Sequence, residues 1–66
     1  MTEIYLNGER ATLDPGATVA DVVGRFATST GVAVARNGEV IARSAWEETS
    51  IEPSDRLEIL TVAPGG

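Results

Sequence analysis

The sequence predicts an α+β domain in which a mixed sheet of about five strands carries one main helix across one face. Two dipeptides, Asn7-Gly8 and Asn37-Gly38, each lie between strand-like runs and are strong signals for a two-residue hairpin. A single amphipathic helical pattern lies between the two hairpins, and one more strand-like run follows them. A chain of 66 residues with this order of elements forms one domain.

The first hairpin is predicted from alternation on both sides of its turn. Residues 3–6 and 10–13 alternate polar and apolar side chains, which is the pattern of half-buried strands. Asp14, Pro15 and Gly16 then end the second strand, because proline cannot continue a ladder and glycine accepts turn geometry.

The helix is predicted to begin after Thr18, a good N-terminal cap, with Asp21 completing a weaker form of the capping box. Gly31 is expected to end the segment as a C-terminal cap. The apolar residues between them recur on one helical face: Val19, Val22, Val23 and Phe26.

The second half of the chain is predicted to supply three more strands. Residues 32–35 form a compact apolar run that is typical of an inner strand, and residues 40–43 return after the Asn37-Gly38 turn. Residues 44–50 are expected to form a short turn or helical loop. A further turn at residues 51–55 leads into the last strand, residues 57–62.

The β-grasp, or ubiquitin-like, arrangement accommodates this order of elements most economically. The first and last strands lie side by side in parallel at the centre of the sheet, and the helix supplies the crossover that parallel neighbours require. Residues 1–62 then form the folded domain, and residues 63–66 project beyond the sheet as an exposed, flexible tail.

Composition argues against several classes of function. The chain has no cysteine and no histidine, which removes thiol chemistry, disulfides and the commonest general base and zinc ligand. Its net charge of −5 argues against nucleic acid or an anionic membrane as partner and suits a basic protein surface. The sequence has no apolar run of about 18 residues, as a membrane-spanning helix needs, and no basic start followed by an apolar run, as a signal peptide needs. The expected location is therefore the cytoplasm.

The chemistry is expected at the C-terminal Gly65-Gly66. Glycine has no Cβ, so this tail can enter a narrow cleft that excludes other residues. Pro64 has a fixed φ and stiffens the base of the tail, and residues 63–66 reach roughly 13 Å when extended. A carboxylate that is ionised at neutral pH is a poor electrophile, so it must become a mixed anhydride before a nucleophile can attack.

Several short features stand in order along nearly the whole chain: Asn7-Gly8, Thr18-Val19, Asp21-Val22-Val23, residues 32–41, Arg43 with Trp46, residues 55–60 and Gly65-Gly66. In this order and at this length they resemble the ThiS family, the small sulfur carriers of thiamine biosynthesis. The sequence departs from the family at Ala42, where proline is common, and at Ser54, where glycine is common. Both departures affect only the expected geometry of local turns.

The resemblance implies a carrier and not an enzyme. A ThiF-type adenylyltransferase, which itself binds ATP, would adenylate the Gly66 carboxylate, with Gly65 giving access and Pro64 and Ala63 contacting the partner. Sulfur passed from a cysteine desulfurase as a persulfide would displace AMP and leave a thiocarboxylate. Thiazole synthase would use that sulfur to build the thiazole ring. The resemblance implies no cofactor and no metal on this chain.

By analogy with other β-grasp carriers, the exposed sheet face near the last strand is expected to bind the partner. Tyr5 alternates out of phase with its apolar neighbours and is one aromatic anchor for this face, and Trp46 is the other. Glu58, with Arg56 nearby, is a candidate for ionic contacts. The alternatives are that Tyr5 only covers the sheet, that Trp46 closes a small core from a loop, and that the two charges are solvated.

Two other functions remain open from the sequence. One is a sulfur carrier for a different acceptor, such as the small subunit of molybdopterin synthase or a carrier for cysteine or tRNA thiolation. The other is a β-grasp interaction module with an inert tail. A small enzyme fits poorly, because 66 residues without histidine, cysteine or lysine offer few catalytic groups and little room for a closed pocket.

Overall fold

Five strands and one α-helix make up the described part of the chain. A computed structural model describes residues 1–27 and 31–61. Its elements are, in order, β1 (Thr2–Leu6), β2 (Glu9–Leu13), α1 (Val19–Phe26), β3 (Val32–Arg36), β4 (Glu39–Ile41), a 3-10 helix (Arg43–Ala45) and β5 (Arg56–Thr61).

The strands form one mixed sheet in the order β2-β1-β5-β3-β4. β1 and β5 are parallel neighbours at the centre, and the other neighbouring pairs are antiparallel. A parallel pair needs a long crossover connection, and α1 lies in the segment between these two strands. The predicted α+β arrangement of β-grasp type is confirmed.

Both Asn-Gly turns have the geometry that the sequence predicts. Asn7 and Gly8 have φ angles of 50° and 83°, and Asn37 and Gly38 have φ angles of 51° and 84°. A type I′ turn needs positive φ at both central residues, which asparagine and glycine tolerate best. The two turns therefore fix the register of β1 with β2 and of β3 with β4.

The predicted capping box begins α1. The Thr18 Oγ1 accepts a hydrogen bond from the Asp21 N–H at 3.3 Å, and the Thr18 N–H donates to the Asp21 carboxylate at 2.9 Å. These two bonds satisfy backbone donors that would otherwise be unpaired at the start of a helix, which explains why the helix begins here.

Two predicted element ends differ from the structure by two residues or more. Helix α1 ends at Phe26 and not at Gly31, because the backbone becomes extended at Ala27, whose N–H donates to the Val23 carbonyl at 3.0 Å. β4 ends at Ile41 and not at residue 43, because Arg43 begins the 3-10 helix. That helix starts one residue before the segment in which a short turn or helical loop is predicted.

The core lies between α1 and one face of the sheet. Ile4, Val34 and Leu57 enter it from three neighbouring strands, and Val19 and Val22 enter it from the helix; all five are fully buried. Complete burial of one such side chain stabilises the fold by roughly 1.5–3 kcal/mol. Because side chains alternate along a strand, the neighbours of the buried strand residues lie on the opposite, outer face of the sheet.

One buried carboxylate holds the start of β5 to the second hairpin. Asp55 accepts hydrogen bonds from the Arg36 Nε at 2.7 Å, the Asn37 Nδ2 at 3.1 Å and the Glu52 N–H at 2.9 Å. Burial raises the pKa of Asp55, but the hydrogen bonds from Glu52, Arg36 and Asn37 together outweigh burial and lower the pKa below its ordinary value. The Asn37 Oδ1 also accepts from the Arg56 N–H at 3.0 Å, so this cluster fixes where β5 begins.

Ser54 has a backbone conformation that favours glycine. Its φ is +69°, and its N–H donates to the Glu3 carbonyl at 2.8 Å, which ties the turn to β1. Since a residue with a Cβ is strained there, we expect Ser54→Gly to raise the free energy of unfolding by roughly 0.5–1 kcal/mol. Urea unfolding measures this, and Ser44→Gly, in the 3-10 helix, is the control that should lower stability. A Ser54→Gly variant less stable than the wild type would contradict the argument from strain.

Candidate docking surface and tail base

The C-terminal tail follows the central strand of the sheet. β5 lies between β1 and β3, and its pairing with β3 extends to Thr61, opposite Val32. Five residues follow Thr61 in the sequence, and a fully extended segment of that length spans at most about 17 Å. The predicted boundary between residues 62 and 63 lies outside the described residues, and so do the predicted tail residues, Ala63, Pro64, Gly65 and Gly66.

The outer face of the sheet is the face that α1 does not cover. Along β5, Arg56, Glu58 and Leu60 alternate with residues that point toward the core, and all three are exposed. The strand register places Glu58 beside Ala35 and Leu60 beside Ala33 on β3. Charged and apolar side chains therefore stand next to each other on this face, close to the end of β5.

Four apolar residues of the outer face form a small surface that we call the outer patch: Ala33, Ala35, Val40 and Leu60. Leu60 is 58% exposed and Val40, on the edge strand β4, is 75% exposed. Pairing of Ala35 with Val40 and of Ala33 with Leu60 makes the patch continuous across three strands. Because these side chains lie together and two of them are large and exposed, the outer patch is a candidate interaction surface.

The structure brings Tyr5 and Glu58 together beside this patch. Tyr5 is half-buried and pairs with Arg56 across the parallel ladder. With Gly8, Arg56, Leu57 and Glu58 it lines a shallow depression of about 280 Å³. Within residues 1–27 and 31–61, the Arg56 and Glu58 side chains form no ion pair. The docking role predicted for Tyr5 and Glu58 thus has a suitable geometry and remains a prediction.

Trp46 lies in the core and not on the outer face. It is 8% exposed, its Nε1 donates to the Ile41 carbonyl at 3.0 Å, and the Arg43 guanidinium lies over its ring at 4.9 Å from the centroid. Trp46 therefore packs over one end of the core from the loop after β4. This is the alternative to a docking role that the sequence left open. The docking surface described above does not include it.

The sequence analysis does not predict Leu60 and Val40 as binding residues. For Leu60 a signal existed, because it alternates in phase with Glu58 along the predicted last strand. For Val40 none existed, because a valine on a short return strand is equally expected in the core.

The remaining surface is acidic. Asp and Glu outnumber Arg and Lys by 10 to 5 over the chain, which makes the surface complementary to a basic partner. Among residues 1–27 and 31–61, no three His, Cys, Asp or Glu side chains are grouped so that they could hold a metal ion. No helix in that part of the chain has the length and apolar character needed to cross a membrane.

The fold and this surface define a class of protein. It is a ubiquitin-like β-grasp domain whose central strand precedes a glycine-ended terminus and bears part of an apolar patch on its outer side. The model of the ThiS family matches residues 4–66, which is nearly the whole chain and includes Gly65-Gly66. The chain belongs to the ThiS family.

Individual proteins with similar sequences or structures agree with this assignment. The crystal structure of the thiamine biosynthesis protein ThiS from Geobacter metallireducens has a TM-score of 0.82 and 29% identity, and the match covers 98% of this chain and 100% of that chain. An NMR structure of a thiamine biosynthesis protein from the same organism has a TM-score of 0.78 and 28% identity, with 98% and 88% covered.

A curated relative is much longer than this chain. A thiazole synthase of Paramagnetospirillum magneticum is 31% identical over 65 residues, which is 97% of this chain and 20% of that protein. The chain therefore spans about a fifth of the length of the curated relative that it matches.

Proposed function

We propose that this chain is the sulfur carrier for thiazole formation in thiamine biosynthesis, and that it acts as a co-substrate and not as an enzyme. The observation that carries the proposal is the family match, which runs through the C-terminal Gly65-Gly66. The similar Geobacter structures, both described as thiamine biosynthesis proteins, support the same pathway. The position of β5 between β1 and β3 suits a carrier, because the strand that precedes the tail is held within the sheet.

The proposed chemistry takes place at the Gly66 carboxylate. A ThiF-type enzyme binds ATP, and a carboxylate oxygen attacks the α-phosphorus, which releases pyrophosphate and leaves an acyl-adenylate. Hydrosulfide, which a thiol reductant releases from the persulfide of a cysteine desulfurase as the thiols are oxidised to a disulfide, then attacks the acyl carbon. The C–S bond forms, the C–O bond to AMP breaks, and a terminal thiocarboxylate remains. Adenylation is needed because an ionised carboxylate is a poor electrophile.

Thiazole synthase is the proposed sulfur acceptor. A segment similar to this chain makes up about a fifth of a longer protein named thiazole synthase. Two domains joined in one polypeptide are present at a high effective concentration relative to each other, which favours a reaction between them. For a separate carrier, we expect the same encounter to take place between two proteins.

The outer patch and the adjoining depression beside Tyr5 are the proposed docking surface for the activating enzyme. Leu60 immediately precedes Thr61, the last described residue of β5, so an enzyme that covers the patch lies beside the start of the tail. Apolar contact with the patch would supply affinity, and Glu58 and Arg56 would orient the complex. This arrangement lets the domain stay outside the enzyme while the tail enters it.

A substitution at Leu60 tests the docking surface. We expect Leu60→Gln to raise the KM of the activating enzyme for this chain by roughly tenfold, because an apolar interface anchor contributes about 1–2 kcal/mol. The side chain is already 58% exposed, so folding should be unaffected. Thr12→Gln lies on the same face of the far edge strand β2 and is the matched control. A KM for Leu60→Gln equal to that of the control would exclude the outer patch.

The function itself is tested in two stages. The first is ATP–pyrophosphate exchange by a ThiF-type enzyme, which should depend on the presence of this chain. The second offers the thiocarboxylated chain to thiazole synthase and to the large subunit of molybdopterin synthase, and transfer to thiazole synthase alone is expected. Transfer to the other acceptor alone would assign a different pathway. No exchange with an enzyme that is active on another carrier would favour an interaction module with an inert tail.

A further inference from the structure

The Asn7 side chain continues the sheet where β1 leaves it. β1 pairs with β5 through Tyr5 with Arg56 and Leu6 with Leu57, and the Asn7 N–H still donates to the Leu57 carbonyl at 2.9 Å. At Asn7 the main chain turns away into the first hairpin, with a φ of 50°. The backbone of β1 is therefore not available to pair with the second half of β5.

The Asn7 carboxamide takes the place of the next peptide group. Its Oδ1 accepts from the Ile59 N–H at 2.9 Å, and its Nδ2 donates to the Ile59 carbonyl at 3.4 Å. One side chain thus offers a donor and an acceptor to a single residue of β5, as a neighbouring strand would. Among residues 1–27 and 31–61, these two hydrogen bonds are the last that reach β5 on its β1 side.

We propose that Asn7 is a positioning residue for the tail, because it holds the second edge of β5 at Ile59 and so sets the direction in which the chain leaves the sheet. Pairing with β3 holds the other edge as far as Thr61. A strand held from both sides can pivot less than a strand held from one side. This inference rests on the proposed function, in which the Gly66 carboxylate must reach a reactive position inside an enzyme, and misplacement of a reacting group lowers its rate steeply.

Asn37 makes a similar side-chain hydrogen bond to the other end of β5. It has the same turn geometry, with a φ of 51°, and its Oδ1 accepts from the Arg56 N–H at 3.0 Å. Arg56 is the first residue of β5, so Asn37 holds the end that is far from the tail. Asn37 also donates to the Asp55 carboxylate, so its loss should destabilise the fold at least as much as the loss of Asn7.

The two asparagines therefore supply a matched pair of variants. Asn7→Gly and Asn37→Gly both allow the positive φ and remove the whole side chain, including the carboxamide. With a ThiF-type enzyme and ATP–pyrophosphate exchange as the readout, Asn7→Gly is expected to lower kcat by roughly three- to tenfold, because both side-chain hydrogen bonds to Ile59 are lost. KM should stay within about twofold, because the outer patch is intact. Asn37→Gly should leave kcat within about twofold of the wild type.

Amide hydrogen exchange gives a second readout that does not depend on the enzyme. The Ile59 amide should exchange faster in Asn7→Gly and not in Asn37→Gly, while the Arg56 amide should show the reverse. In Asn7→Asp, the acceptor for the Ile59 N–H remains and the donor to the Ile59 carbonyl is lost. Because the oxygen that replaces this donor faces the Ile59 carbonyl oxygen and repels it, the kcat of Asn7→Asp should also fall below that of the wild type.

The outcomes separate this inference from the function on which it rests. An active wild type with equal kcat for Asn7→Gly and Asn37→Gly would overturn the positioning role alone, since a purely structural role predicts that Asn37→Gly loses at least as much. An active wild type and a reduced kcat for Asn7→Gly alone would support it. A wild type that supports no exchange, with an enzyme active on another carrier, would overturn both proposals.

Discussion

A chain that lacks Gly65 and Gly66 is expected to lose carrier activity completely while its domain folds as in the wild type. Removing two residues shortens the reach beyond Thr61 by roughly 7 Å and leaves Pro64 as the terminal residue, whose ring cannot enter a cleft that fits glycine. ATP–pyrophosphate exchange should fall by at least about a thousandfold, since the carboxylate no longer reaches the reactive position. Leu57 is the last fully buried residue of the described chain and Ile59 the last one packed against the core, so the thermal midpoint should be unchanged. Full exchange with the truncated chain would contradict the assignment of the adenylated carboxylate to Gly66.

A single methyl group tests the steric argument without changing the length of the tail. Gly66→Ala should reduce exchange by roughly tenfold or more, because the added Cβ occupies space in the cleft. Gly24→Ala is the matched control, since a Cβ at this helical position meets nothing within 4 Å. The control should keep full exchange activity and be slightly more stable, as alanine is the better helix former. Unchanged exchange by Gly66→Ala would show that the cleft does not require glycine.

Replacing Asp55 by asparagine is expected to lower the free energy of unfolding at pH 7 by roughly 2–4 kcal/mol. Oδ1 accepts from Asn37 and Oδ2 accepts from Arg36 and Glu52, so the new NH2 group would meet a donor in either orientation, and Arg36 would lose its 2.7 Å ionic partner. The Arg36 Nη2 lies 4.0 Å from the Glu52 carboxylate, which is too distant to replace that partner fully. For a domain of about 5 kcal/mol stability this is a large loss. Urea unfolding measures it, with the exposed Glu58→Gln as a control that should change little.

The same carboxylate predicts how stability depends on pH. The pKa of Asp55 in the folded chain is lowered from an ordinary value of 3.8 by the hydrogen bonds that outweigh its burial. The stability that it contributes is therefore fully present above that ordinary value and is lost as pH falls through the folded pKa. Below about pH 4 the wild type should lose stability more steeply than Asp55→Asn, so that the two unfolding curves converge. Parallel curves would contradict this role for Asp55.

The topology could be predicted because its main signals are local. Each hairpin is specified by an Asn-Gly turn between alternating strands, and α1 by a capping box followed by one apolar face. The observed ends of α1 at Phe26 and of β4 at Ile41 were not predicted, because no capping or helix-breaking residue marks the change of backbone conformation there. Ala27 ends a helix without a sequence signal, while Gly31 gives a stop signal several residues too late.

The docking surface could be predicted only in part. Strand alternation was enough to place Tyr5 and Glu58 on the outer face. Trp46 follows a strand in a loop, where no periodicity indicates whether a side chain points to the core or to solvent. The second role of Asn7 joins residues 52 positions apart, so it becomes visible only when the fold brings β5 beside the first turn.

The most direct test of the central claim is the intact mass of this chain after incubation with ATP, a ThiF-type enzyme and a sulfide or desulfurase source. Replacement of one oxygen by sulfur predicts a gain of about 16 Da, located by fragmentation at Gly66. The chain without Gly65 and Gly66 should show no gain in the same mixture. An unchanged mass for the full chain, with an enzyme that converts another carrier under the same conditions, would contradict the assignment as a sulfur carrier for that enzyme.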